Sequence, residues 1–201
     1  MSAAAPIRLD GRNARAERSR TAVVDALLDL LGEGELRPPA TRIAERAGVS
    51  LRSVFQHFAD IETLYGAAAD RQLARLGPLA EPLSPTGSRA ERLDAFVRAR
   101  TRLLETIAPV RRGALLMEPF STEVASRLSR GRAHNRAEAE VMFAPELAAH
   151  PTAARRELAS ALSAAASWST WEHLRRHQGL SRDRARRVVA RMLAALLQAA
   201  D

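Results

Sequence analysis

The stretch PATRIAERAGVSLRSVFQHF, residues 39–58, decides how the rest of the chain is read. Pro38 and Pro39 forbid helix immediately before them, so Ala40 to Ala47 starts afresh as a short helix with Ile43, Ala44 and Ala47 on one side. Gly48 stops that helix by permitting a left-handed backbone, Val49 plugs the junction, and Ser50 is placed to cap a third helix. In that helix Val54 and Phe58 lie four apart and face inward. Small Ala44 and Ala47 let the two helices cross closely, which makes the string a helix-turn-helix rather than an ordinary helical hairpin. The N-terminus of the second helix in such a pair is free to enter a major groove.

Outward from this stretch the pattern stays helical. Upstream, Val24, Leu27, Leu28 and Leu31 form one buried stripe in a helix from about Arg18 to Leu31, which Gly32 and Gly34 end. Downstream, Asp60 can cap a fourth helix reaching about Leu76, and GPLAEPLSPTGS (77–88) then carries enough proline and glycine to mark a domain boundary. Ser88 and Glu91 match a capping box, and Leu93, Phe96, Val97, Leu103, Leu104 and Ile107 continue a helical stripe until Pro109. Further helices are expected at about 110–117, 121–144, 152–177 and 181–199, bounded by Pro119, Pro145, Pro151 and the break from His177 to Ser181. The expected architecture is all-α with about nine helices. It comprises a flexible arm (1–17), a helix-turn-helix domain (18–76), a linker (77–88) and a larger helical domain (89–201).

Composition agrees. Alanine (41), leucine (26) and arginine (31) supply 98 of the 201 residues, against 23 for valine, isoleucine and threonine together, so helix formers outnumber sheet formers. With no cysteine, a disulfide scaffold, a thiolate metal site and a cysteine nucleophile are excluded. The N-terminus lacks a signal-peptide core and no run of about 18 uncharged apolar residues could span a bilayer, so a cytoplasmic protein without a membrane partner is expected. The net charge of +8 favours polyanions, yet residues 1–65 are neutral and the whole excess lies in 66–201. Net charge alone would therefore misplace a DNA-binding end.

Residues 39–64, PATRIAERAGVSLRSVFQHFADIETL, resemble the N-terminal domain of the tetracycline-repressor (TetR) family, including the run Ile43 to Ser50 and the His57–Phe58 pair. The likeness covers roughly residues 18–70. The helices at 152–199, with the stretch Trp168 to Leu180, look like that family's dimerisation pair. The resemblance implies a homodimeric transcription regulator, usually a repressor, whose larger domain binds a small effector and alters the spacing of two heads on an operator duplex. Carried over, Thr41 and Arg42 start the supporting helix and touch phosphate, while Ser50, Leu51, Arg52, Ser53, Phe55, Gln56 and His57 lie on or near the recognition surface. Arg52 suits bidentate guanine readout, Gln56 adenine and Leu51 a thymine methyl. Phe55 stands where the family commonly has a tyrosine, and Ile61 where a lysine commonly follows the His-Phe pair. Each departure removes a phosphate contact, which implies weaker and less salt-dependent binding.

In the C-terminal half, Leu158, Ala161, Leu162, Ala165 and Trp168 recur at three and four, and Val188, Val189, Met192, Leu193, Leu196 and Leu197 make a wide apolar face. Two such helices need more cover than one small domain offers, and a twofold four-helix interface through Leu158, Leu162, Ala165, Val189, Met192, Leu193 and Leu196 supplies it. For an effector pocket, Val124, Leu128, Asn135 and Met142 fall near one side of the helix at 121–144, setting an amide among apolar neighbours. Met117, Phe120, His134, Phe143, Trp168 and Trp171 are further candidates.

His173 and His177 have a spacing that holds zinc, but two ligands make no site, and Arg175, Arg176 and His177 fit the negative end of a helix dipole instead. Arg182, Arg184, Arg186, Arg187 and Arg191 read as a solvated face or a source of interface ion pairs. No metal or cofactor is expected. Nor is catalysis, since no nucleophile with its base, carboxylate pair or phosphate-binding glycine loop is recognisable. The rival reading is a helical small-molecule-binding or scaffold protein with a weakened DNA-binding head.

Overall fold

The computed structural model describes residues 7–76 and 83–198, and every regular element among them is helical. In chain order these are α1 (Ile7–Gly32), α2 (Ala40–Ala47), α3 (Leu51–His57), α4 (Ile61–Leu76), α5 (Arg89–Met117), α6 (Thr122–Met142), α7 (Ala144–Ala148), α8 (Thr152–Ala165), α9 (Trp168–Glu172) and α10 (Arg182–Gln198). The chain divides into two units. One takes in residues up to Arg75 together with Ile107–Ala125, and the other takes in Leu76–Thr106 and the residues from Ser126 on. One boundary thus falls between Arg75 and Leu76, just before the 77–88 segment, of which residues 77–82 lie outside the described residues, and two further boundaries cut α5 and α6.

The first unit is built around α1. Val23, Val24, Ala26, Leu27, Leu28, Leu30 and Leu31 are all buried, a broader face than one stripe, because α2 and α3 both pack on this helix. The helix also begins earlier than expected. Residues 7–17 of the arm are helical, while residues 1–6 lie outside the described residues. Residues 13–18 are exposed there, so propagation from an anchored helix through alanine and arginine, both good helix formers, accounts for the extension. Gly34 (φ 95°) supplies the left-handed residue that ends the turn after α1, and Glu35 donates back to the Leu30 carbonyl at 3.0 Å.

Gly113 explains why the C-terminal part of α5 belongs to this unit. A Cβ there would stand 2.8 Å from the Leu36 carbonyl oxygen and 2.8 Å from the Tyr65 ring, so only glycine allows the approach. The Tyr65 hydroxyl donates to the same Leu36 carbonyl at 2.9 Å. Burial pushes the Tyr65 phenol up to about 12. Pro109 does not end the helix as expected: α5 runs through it, forgoing the hydrogen bond that a proline nitrogen cannot donate.

In the second unit the capping box forms. Ser88 N–H donates to Glu91 Oε2 at 2.8 Å, and Glu91 N–H donates to Ser88 Oγ at 3.3 Å. Pro145 sits in the first turn of α7, where it starts a helix rather than closing the one before. The helix expected over 152–177 is interrupted at Ala166–Ser167, because Ser167 accepts from Thr170 N–H at 3.2 Å and caps α9 anew. After α9 the chain makes one wider π turn, His173–His177, which ends near Gly179 (φ 64°). Phe96 and Phe143 meet edge to face at 5.3 Å within the core, where Leu162, Trp171 and Leu193 are also fully buried.

Candidate functional site

The turn between α2 and α3 has the geometry its residues dictate. Gly48 is left-handed (φ 66°, ψ 32°), and Val49 N–H donates to the Ala44 carbonyl at 3.0 Å. Ser50 accepts from Ser53 N–H at 3.1 Å and so caps α3. Val54 and Phe58 are buried beneath α3. With those two turned inward, Leu51, Arg52, Phe55 and Gln56 are left exposed on the opposite side, and Ser53 and His57 are half-buried at its flanks. Thr41 and Arg42 are exposed at the start of α2. The nine residues expected at this surface thus come together on two adjoining helices and the turn between them.

Several ion pairs hold the pieces in register. Arg46 grips Glu33 with two bonds of 2.8 Å, tying α2 to the turn after α1 and holding the Glu33 carboxyl below its ordinary range. Arg71 makes a similar fork to Asp25 at 2.6 and 2.7 Å, joining α4 to α1. Asp60 caps the next helix by accepting from Thr63 N–H at 2.7 Å, a bond that lowers its carboxyl pKa. Arg42 is already engaged by Glu45 at 3.0 Å and lies 3.9 Å from Glu35, so its charge is shared within the head.

Sequence reasoning missed Arg20. Its guanidinium donates to the His57 carbonyl at 2.9 Å and lies 4.5 Å over the Phe58 ring, fixing the C-terminal end of α3. A signal was present: Arg20 precedes Val23, Val24 and Leu27 at three, four and seven and so shares their face.

The other two expected clusters fare differently. Of the effector candidates, Met117 and Phe120 lie in the first unit, where Met117 is buried and Phe120 is 82% exposed. The remaining six lie in the second. There Met142, Phe143, Trp168 and Trp171 are core fillers, and His134 is exposed. The Asn135 side-chain oxygen is already engaged, since Arg100 donates to it and, at 3.3 Å, to the Asn135 carbonyl. Arg100 is itself buried, paired with Glu138 at 2.6 Å, and desolvation lowers its pKa in spite of that partner. Of the seven expected interface residues, Leu162, Ala165, Val189 and Leu193 are enclosed within one chain, Leu158 and Leu196 are half-buried, and Met192 is exposed.

Among the described residues no group of three or more metal-ligating side chains is placed to hold an ion, and no helix is long and apolar enough to cross a membrane.

No family model matches the chain, and no curated protein matches it in sequence. Solved structures do. A transcriptional regulator from Rhodococcus sp. Rha1 superposes with a TM-score of 0.66 at 18% identity, over 92% of this chain and 96% of that one. A protein from Mesorhizobium loti, provisionally assigned to the TetR family of transcriptional regulators, superposes with a TM-score of 0.60 at 17% identity, over 92% and 98% of the two chains. At these identities the likeness establishes a shared fold across nearly the whole length.

Proposed function

We propose that this chain is a sequence-specific DNA-binding transcriptional regulator, acting as a homodimeric repressor that a small-molecule effector releases from a palindromic operator. The observation that carries the reading is the exposed set Leu51, Arg52, Phe55 and Gln56 on a short helix that is capped by Ser50 and follows a left-handed Gly48. Side chains of this kind on a rigidly seated helix match base edges in a major groove: Arg52 offers the fork that guanine accepts, and Gln56 the paired donor and acceptor that adenine accepts. Thr41 and Arg42 contribute phosphate contacts beside it. Support also comes from the two similar folds, each described as a regulator.

Dimerisation is assigned to α8 and α10 through the side chains that one chain leaves accessible, Met192 with the half-buried Leu158 and Leu196. The four residues enclosed in the monomer back that surface rather than form it. The effector is assigned to the second unit.

Selection of binding sites from random and genomic duplexes tests the reading. The expected result is a palindromic sequence whose readout relaxes in Arg52→Ala, with on the order of a ten-fold to hundred-fold loss of discrimination at one base pair and an unchanged melting temperature. Enrichment of no sequence by the native chain, with or without added metabolite mixtures, would overturn it.

A further inference from the structure

The arginines at the start of α10 have a setting that the sequence could not show. A cleft of about 400 Å³ is lined by Arg98, Thr101 and Arg102 of α5 and by Ser181, Arg182, Asp183 and Arg186 at the beginning of α10. All seven residues belong to the second unit. Arg98 and Arg102 are four apart on one helix, and Arg182 and Arg186 are four apart on the other, so each helix stacks two like charges on the same face. Among the described residues Asp183 is the only acidic one lining the cleft.

Such an arrangement opposes the folded state of the empty protein. Like charges at this spacing repel, and the first turn of a helix carries partial positive charge that disfavours cations. Carboxylates elsewhere answer part of the charge, since Arg98 pairs with Asp94 on its own helix. The side chains of Arg182 and Arg186 have no ion-pair or hydrogen-bond partner among the described residues. The Thr101 hydroxyl is buried and donates to the Val97 carbonyl at 2.8 Å, which leaves its oxygen lone pairs, not its proton, toward other groups.

We infer that this cleft is a binding site for the phosphoryl or pyrophosphoryl group of a small polar molecule. Guanidinium forks match the oxygens of a tetrahedral multiply charged anion, and Arg182 and Arg186, added to Arg98 and Arg102 in the same lining, leave the cleft with positive charge that Asp94 and Asp183 do not fully answer. The volume falls in the range of small-molecule sites, about 300–1,000 Å³. Among the described residues no aromatic or aliphatic side chain lines the cleft, so the rest of the ligand is polar. The site is separate from the α3 surface and stands whether or not the chain reads DNA.

Calorimetric titration of the full chain with pyrophosphate at fixed ionic strength tests it. Saturable binding of one pyrophosphate per chain is expected, weakened on the order of ten-fold or more in the double variant Arg182→Gln/Arg186→Gln. Arg184→Gln/Arg187→Gln removes the same charge from exposed positions that do not line the cleft and should keep native affinity. Without pyrophosphate, the cleft variant should melt no lower than the native chain, because it loses repulsion and no partner. Equal weakening in both double variants, or no saturable binding at millimolar pyrophosphate, overturns the site. So does a lower melting temperature of the cleft variant, which would make these arginines structural. If duplex DNA of arbitrary sequence loses affinity for the cleft variant by the same factor, the surface is a general polyanion face and the small-molecule assignment fails.

Discussion

Both units pair arginines with carboxylates, but among the described residues only the second unit encloses any of these paired guanidinium groups almost completely. In the first, Arg46 and Arg71 grip Glu33 and Asp25 where both partners remain in contact with water, with side chains 29–57% exposed. In the second, Arg92 and Glu146 are 4% and 10% exposed, and Arg100 is 1% exposed beside Glu138. The chemistry of the pairs is the same and the solvent is not. Exposed pairs are screened and set register at little energetic gain, whereas a buried guanidinium that loses its carboxylate keeps its desolvation cost with nothing to offset it.

Glu146→Ala should give the largest effect. It strands Arg92 with only the Met142 and Gly87 carbonyls as acceptors and should destabilise the second unit by about 3–5 kcal/mol in urea unfolding. Burial alone would raise the Glu146 carboxyl, but the hydrogen bonds and charge of Arg92 bring it below its ordinary value of 4.5. Its contribution is therefore complete above pH 4.5 and is lost as pH falls through the lower folded value. An acid limb unchanged in the variant would break the contrast between buried and exposed pairs.

Gly113→Ala comes next, in the first unit. The added methyl would meet the Leu36 carbonyl and the Tyr65 ring, costing about 1–3 kcal/mol, partly offset by the better helix propensity of alanine. Tyr65→Phe should cost less, about 0.5–1.5 kcal/mol for one lost hydrogen bond. It should also flatten the alkaline limb of the stability profile. With the folded phenol raised from 10.0 to about 12, the native residue contributes fully below pH 10 and loses that contribution as pH rises towards 12. Smallest is Asp25→Asn, which weakens an exposed fork and should cost about 0.2–1 kcal/mol, less in high salt. A loss as large as that of Glu146→Ala would show that exposure does not decide the worth of these pairs.

The helix-turn-helix was legible because its determinants are local: Pro39, Gly48 and Ser50 each act within four residues of themselves, and the observed helices Ala40–Ala47 and Leu51–His57 follow from them. Non-local determinants were not legible. Nothing within a few residues of Pro109 announces that α5 continues through it. The alanines at 164–166 conceal the break that the Ser167 cap imposes on a periodic run. The side-chain partners of Arg92, Arg100 and Arg175 lie 35 to 70 residues away, so an amphipathic pattern gave no sign that Asn135 was already bonded. Burial within one chain likewise removed Leu162 and Leu193 from the surface where their spacing alone had set them.

The placement of the aromatic chromophores has a practical consequence. The chain holds two tryptophans, Trp168 and Trp171, both in the second unit, where the Trp171 indole donates to Glu105 at 3.0 Å. Its single tyrosine, Tyr65, is in the first, against the Leu36 carbonyl. Each unit is thus spectrally labelled by nature. Emission excited at the red edge of the indole band follows one of them alone, and, between the unfolded phenol value of 10.0 and the folded value of about 12, the phenolate absorbance that appears on unfolding follows the other. Melting curves recorded in the two channels would reveal whether the units lose their structure together or in turn, without any dye, tag or substitution.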